Sequence, residues 1–254
     1  MFNCKTFIIL VGIFILALAK PLQRKETDPE LTAGYVEGDM VMDTLQRNGL
    51  RSPVYRWPNN TVYYKFFTEF DAPHKNHIYR GMQLLESISC IRFKEASADT
   101  KTFVNITGFD GGCYSSVGYL NRGAQSYNLQ FYDLDVGCFR LGTIVHEFLH
   151  TLGFYHMQSS AERDDYVRIA DENIIPGTLH NFNKYNKTFV DHYDEEYDYG
   201  SVLHYSAYAF TKNGEMTIIP LKEEEAAGVM GQRRGMSKKD INKLNVMYRC
   251  PVKV

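Results

Sequence analysis

The stretch HEFLHTLGFYHM, residues 146–157, sets three histidines, one glutamate and one glycine into twelve positions. On a helix, residues four apart rise from one face, so His146 and His150 can grip a single metal ion. Glu147 follows on an adjacent face, within reach of a water at the metal without being a ligand itself. Gly153 lets the backbone leave the helix through angles that a Cβ resists, and His156 then returns toward the first pair. Three imidazoles with one open position describe a catalytic zinc site rather than a closed structural one. Zinc lowers the pKa of its water to about 7, which makes attack on an amide carbonyl possible at neutral pH. Glu147 would carry the proton from that water to the departing nitrogen. His74, His77, His180 and His192 lack such company and read as surface residues.

Around this stretch the chain is ordinary in composition. Of 254 residues, 44% are hydrophobic and 23% charged, the balance of a folded globular protein. The net charge is −2 and no basic run occurs, so a nucleic-acid partner is not expected. The first segment, MFNCKTFIILVGIFILALA (1–19), reads as a secretory signal: a lysine, an apolar run, then a small-x-small cleavage pattern. The run is short for a membrane anchor, so a secreted, extracellular protein with no membrane attachment after signal removal is expected. Cys4 would leave with the signal. Cys90, Cys113, Cys138 and Cys250 remain, an even number in an oxidising compartment, and spacing alone leaves all three pairings open. Asn59, Asn105 and Asn186 head glycosylation sequons.

Residues 20–47 are polar and aperiodic and read as a propeptide or arm. From Tyr55 the chain has the composition of a packed domain. TVYYKFF (61–67), CIRFKE (90–95), KTFVNITG (101–108) and SYNLQFYD (126–133) predict strands, with GFDGGCYSSVG (108–118) as a glycine-rich connection. HKNHIYRGMQLLESIS (74–89) and RLGTIVHEFLHTLG (140–153) predict helices, as does SKKDINKLNVMY (237–248), where Ser237 and Asp240 have capping-box spacing. The layout is α+β: a sheet in the first half and a looser second half.

At this point the sequence resembles a known family. The pattern H-E-x-x-H-x-x-G-x-x-H is the metzincin signature. RWPNNTVYY (56–64), CIRF (90–93), GGCYSSVG (111–118), RDDYVRI (163–169), YDYGSVLHY (197–205) and GQRRGMSKKDINKLNVMYRC (231–250) narrow the resemblance to the astacins, over nearly all of 48–250. The resemblance implies a two-lobed metzincin-like protease. A twisted mixed sheet and helices would form the N-terminal lobe, and a mostly irregular C-terminal lobe would carry a terminal helix. It implies one Zn2+ held by His146, His150 and His156, Glu147 as general base, and Tyr205 as a catalytic tyrosine that swings toward the transition state. It implies disulfides Cys90–Cys250 and Cys113–Cys138. YVEGDM (35–40) resembles the propeptide motif, with Asp39 as the zinc switch of a latent zymogen. An activating protease would then cut near Arg47, with Arg51 less favoured, leaving Asn48 as the new terminus and 48–254 as the catalytic domain. The substrate implied is an extended peptide or protein.

Three positions depart from the family pattern. Met157 stands where a glutamate is usual, Leu203 holds the Met-turn position, and Val36 replaces a phenylalanine of the propeptide motif. None touches the zinc or the proton in transit. The alternative reading is a catalytically weak or inactive secreted binding protein that keeps the protease fold; hydrolysis of a non-peptide substrate is a third. Only Pro251-Val-Lys-Val follows Cys250, so no appended targeting module is expected.

Overall fold

The structure is a computed structural model that describes residues 28–42, 52–188, 190–222 and 224–251. The proposed signal, Cys4, Arg47, Asn48 and Arg51 lie outside the described residues. The elements are β1 (Met40–Val41), β2 (Thr61–Phe66), α1 (Ala72–Ile88), β3 (Arg92–Glu95), β4 (Phe103–Thr107), β5 (Cys113–Ser116), β6 (Ala124–Leu129), α2 (Leu141–Thr151), β7 (Val167–Ile169), β8 (Ile218–Pro220) and α3 (Lys238–Met247). Strands β1 to β6 form one sheet in the order β1-β5-β6-β4-β2-β3. Strand β4 pairs in parallel with β2 and β6, β2 in parallel with β3, and β5 runs antiparallel to β6. The expected α+β class with a mixed sheet is what forms.

Several boundaries differ from the sequence reading, and two of them matter for the sheet. Residues 113–116, taken as connection, are strand β5. Their cue is weak because glycines at 111 and 112, both at positive φ, immediately precede them. The strand expected at 126–133 is instead Ala124–Leu129. Gln130 leaves the ladder, and its side-chain oxygen accepts hydrogen bonds from the Gly111 and Gly112 amides.

Helices α1 and α2 pack on the sheet. Gly81 permits their close crossing, since a Cβ there would sit 2.6 Å from Ile144. Tyr127 on β6 donates to the Ile144 carbonyl at 3.0 Å, and Trp57 donates to the Thr151 carbonyl at 2.8 Å. These contacts fix the axis and the end of the helix that carries His146 and His150.

The second half has its own core, built on Val167, Ile174, Phe182, Tyr197, Tyr205 and Ile218. Its only ladder among the described residues is β7 with β8, and the rest is turns and short 3-10 segments. Helix α3 returns to the first core through Leu244 and Met247. Ser237 and Asp240 form the expected capping box. The bridges are Cys90–Cys250, which ties α3's exit to the start of β3, and Cys113–Cys138. Among the described residues no helix is long and apolar enough to cross a membrane.

Candidate metal centre and active site

Helix α2 ends where the sequence signals it. Gly153 has φ +102, and the chain turns so that His156 faces back toward the helix. The ring nitrogens Nε2 of His150 and His156 lie 3.0 Å and 3.4 Å from Nε2 of His146. All three rings are buried.

The outer nitrogens decide what the inner ones can do. Nδ1 of His146 donates to the Val202 carbonyl at 2.9 Å, and Nδ1 of His150 to the Phe154 carbonyl at 2.8 Å. A carbonyl only accepts, so in both rings the proton sits on Nδ1 and Nε2 offers a lone pair. Nδ1 of His156 lies 2.9 Å from a carboxylate oxygen of Glu37, which favours the same tautomer. Three lone pairs that converge in a water-poor pocket with no donor between them are unsatisfied unless a cation binds. The donor set therefore fits zinc.

Asp39 completes the group. Its Oδ2 is 3.1 Å from Nε2 of His146 and 3.3 Å from Nε2 of His156, and its Oδ1 is 3.7 Å from Nε2 of His150. Asp39 and the three histidines each offer one ligand atom, and these atoms all lie within 4.8 Å of one another. The Asp39 carboxylate is buried with these rings. Segment 28–42 brings it there. Strand β1 lies parallel on the free edge of β5, with Met40 opposite Ser115, and the Asp39 carbonyl accepts from the Ser115 amide at 3.0 Å. Gly38, at φ +89, makes the turn; a Cβ there would meet the Glu30 carbonyl at 2.6 Å.

Glu147 is fully buried, and neither of its carboxylate oxygens has a hydrogen-bond partner. Burial first, then the Asp39 and Glu30 charges, push its pKa well above the ordinary value. A carboxylate kept dry and unpaired beside three convergent imidazoles has no structural use, and costs stability unless the site needs it. The Tyr205 hydroxyl donates to the Glu37 carbonyl, and its ring lies 4.7 Å from that of His156.

Two groups escaped the sequence reading. The Arg233 side chain is buried and grips Glu30 of the arm: its Nε is 2.9 Å from each carboxylate oxygen, and one terminal nitrogen donates as well. Glu30 also accepts from Thr143 of α2 at 2.8 Å. The arm's charges hold the Arg233 guanidinium firmly ionised against the effect of burial. No sequence cue marks this pair, which is 203 residues apart. The second is Lys243, whose Nζ lies 3.3 Å from the Met157 sulfur. The site without the usual glutamate thus faces an ammonium.

The four histidines left as surface residues divide. His180 is exposed, His74 and His192 are half-buried, and His77 is buried at 3% exposure, 3.4 Å from Asp135. Leu203 is buried, and its carbonyl accepts from the Met157 amide at 3.0 Å, so the turn under the centre forms without methionine.

A buried three-histidine centre on a helix-and-turn, beside a free carboxylate and a sheet edge, defines a zinc-dependent peptidase. The family model for astacin peptidases matches residues 49–249. Seminal metalloprotease 1 of Drosophila melanogaster is 46% identical over 245 residues, covering 94% of this chain and 96% of that protein. Meprin A subunit beta of Homo sapiens is 39% identical over 216 residues, 84% of this chain and 29% of that protein. Among solved structures, high choriolytic enzyme 1 of Oryzias latipes, a hatching enzyme zinc-protease, superposes with a TM-score of 0.68 at 34% identity, covering 77% of this chain and 94% of that one. The chain belongs to the astacin family, and it is a zinc metalloendopeptidase.

Proposed function

We propose that the chain is made as a latent, secreted endopeptidase whose arm, within residues 20–47, must be cut away near Arg47 before residues 48–254 cleave extracellular proteins. The observation that carries this reading is the position of Asp39, whose carboxylate occupies the point where three imidazole lone pairs meet. Beside it, β1 lies on the β5 edge, where an extended substrate backbone would pair. Latency follows from mutual exclusion: arm and substrate need the same edge and the same open position. The secretory leader and the four disulfide-bonded cysteines support an extracellular setting.

His146, His150 and His156 hold the zinc, which when bound supplies a Lewis acid that activates water and polarises the scissile carbonyl. Once Asp39 has left, Glu147 accepts a proton from the attacking water at a carboxylate oxygen and delivers it to the departing amide nitrogen. Its carboxylate, buried and without a hydrogen-bond partner, is free to take up and give back that proton. Tyr205, released from the Glu37 carbonyl, turns its O–H toward the charge developing on the substrate oxygen. Arg233, released from Glu30, becomes a buried guanidinium without a counter-ion near the centre. That favours substrates that bring a carboxylate to it.

The test is Glu147→Gln in the processed protein. Zinc content should stay at one per chain, while peptide cleavage falls by about 100-fold or more. Undiminished cleavage would remove Glu147 from the mechanism. Full zinc with no cleavage by the processed wild type would favour the non-catalytic binding protein.

A further inference from the structure

Two of the three metal-facing imidazoles are oriented by the body of the enzyme, and the third by the arm. His146 and His150 give their Nδ1 protons to the backbone carbonyls of Val202 and Phe154, which belong to the body of the enzyme and not to the arm. His156 has only the Glu37 carboxylate, 2.9 Å from Nδ1, and no other partner for that nitrogen among the described residues. Glu37 is 1% exposed and is itself held from several sides. Its backbone sits at φ +50, and its carbonyl accepts from Tyr205.

We infer that Glu37 is a positioning residue for His156 in the latent protein, so that the docked arm tightens the grip on zinc through the outer nitrogen of the third ligand as well as through Asp39. This rests on the metal and propeptide readings above. The physics is that of any carboxylate–histidine–metal chain. The carboxylate fixes the tautomer and the ring angle and makes Nε2 a stronger donor, and removing such a partner typically weakens metal binding by about 10–100-fold. Asp39 acts on the metal from inside the pocket, while Glu37 acts from behind the ring. When the arm is cut away both leave, and His156 must find water or another acceptor for Nδ1. The latent form would therefore be the state in which the metal is most securely acquired and kept.

The experiment compares zinc affinity and zinc loss to a competing chelator in the full, unprocessed chain: wild type, Glu37→Ala and Glu37→Gln. Glu37→Ala should weaken zinc by about 10–100-fold, and Glu37→Gln by less, because an amide oxygen still accepts from Nδ1. After processing, the difference must vanish, since position 37 is removed with the arm. In the cobalt-substituted unprocessed chain, the exchangeable Nδ1 proton signal of His156 should shift in Glu37→Gln while those of His146 and His150 hold. Equal affinities in wild type and a still-latent Glu37→Ala, or equal movement of all three signals, would overturn the assignment. If Glu37→Ala cleaves peptides unprocessed, its arm has lifted, and Glu37→Gln alone decides. A wild type that binds no zinc would overturn the metal reading itself.

Discussion

Residue by residue, the centre is an arrangement of unsatisfied groups. Glu147 has no hydrogen-bond partner, three Nε2 lone pairs have no donor, and Arg233 and Glu30 satisfy one another only while the arm is present. Each would be a defect in a protein that did nothing, because buried polar atoms are ordinarily paired. Met157 shows how a departure from the family pattern can be absorbed. Its buried thioether sits against the Lys243 ammonium, whose pKa is pushed down by burial despite the acidic residues around it. A glutamate at 157 would therefore meet a partner in place. Met157→Glu should fold with a Tm within a few degrees of wild type, whereas Met157→Glu combined with Lys243→Met should be destabilised by about 3 kcal/mol or more, as expected of an unpaired buried charge. Thermal unfolding of the two variants checks this, and equal Tm values would show that Lys243 does not reach position 157.

Among the elements, α2 is positioned from both ends, and α1 fixes its middle. The C-terminal turn is held by Trp57 and by the Gly118 amide, which donates to the His150 carbonyl at 2.9 Å. Gly142 in the first turn lies so close to the Arg233 backbone that a Cβ would fall 1.8 Å from its carbonyl oxygen. The helix carrying the ligands and the strap carrying Arg233 are thus fitted to one another. Helix α1 contributes a titrating group far from the metal. Burial holds His77 below its ordinary pKa of 6.5, with Asp135 only partly opposing. The folded state therefore prefers neutral His77. Its contribution is full above about pH 6.5 and is lost as pH falls below that value, where the unfolded chain takes up the proton first. Between about pH 7.5 and about pH 5.5, His77→Asn should lose less stability than wild type in urea unfolding. Parallel slopes would show that His77 titrates alike in both states.

Taken over the full chain, the arm closes the sheet. Without β1, the β5 edge would present unpaired amides and carbonyls next to the metal centre, which is the arrangement an extended peptide can complete. The arm is held at two separated points, Glu30 on Arg233 and Asp39 at the histidines. Loss of one anchor leaves the other engaged, so basal activity of the unprocessed chain should rise more in Glu30→Gln/Asp39→Asn than in the two single variants added together. Peptide turnover by unprocessed protein measures this, and additive single effects would argue for independent segments. In the processed enzyme, Arg233→Gln should narrow the preference for peptides with an acidic residue near the cut by about tenfold or more, read as the ratio of kcat/KM for acidic and amide-bearing peptides. An unchanged ratio would separate Arg233 from substrate choice.

The three-histidine cluster is legible in the bare chain, because helical spacing puts His146 and His150 on one face and Gly153 marks the turn that returns His156. So are α1, α2 and α3, through periodicity and capping, and four of the core strands, through their β-branched and aromatic runs. Strand β5 is not, since its pairing depends on a neighbour across the sheet and its residues carry no alternation. Nor does the chain reveal that Glu30 meets Arg233, that Glu37 stands behind His156, or that Lys243 faces Met157. Those are contacts between residues far apart in the chain, and no local pattern encodes them. Spacing along a helix is fixed by backbone geometry, whereas the partner of a buried charge is chosen only when the two lobes and the arm close around it.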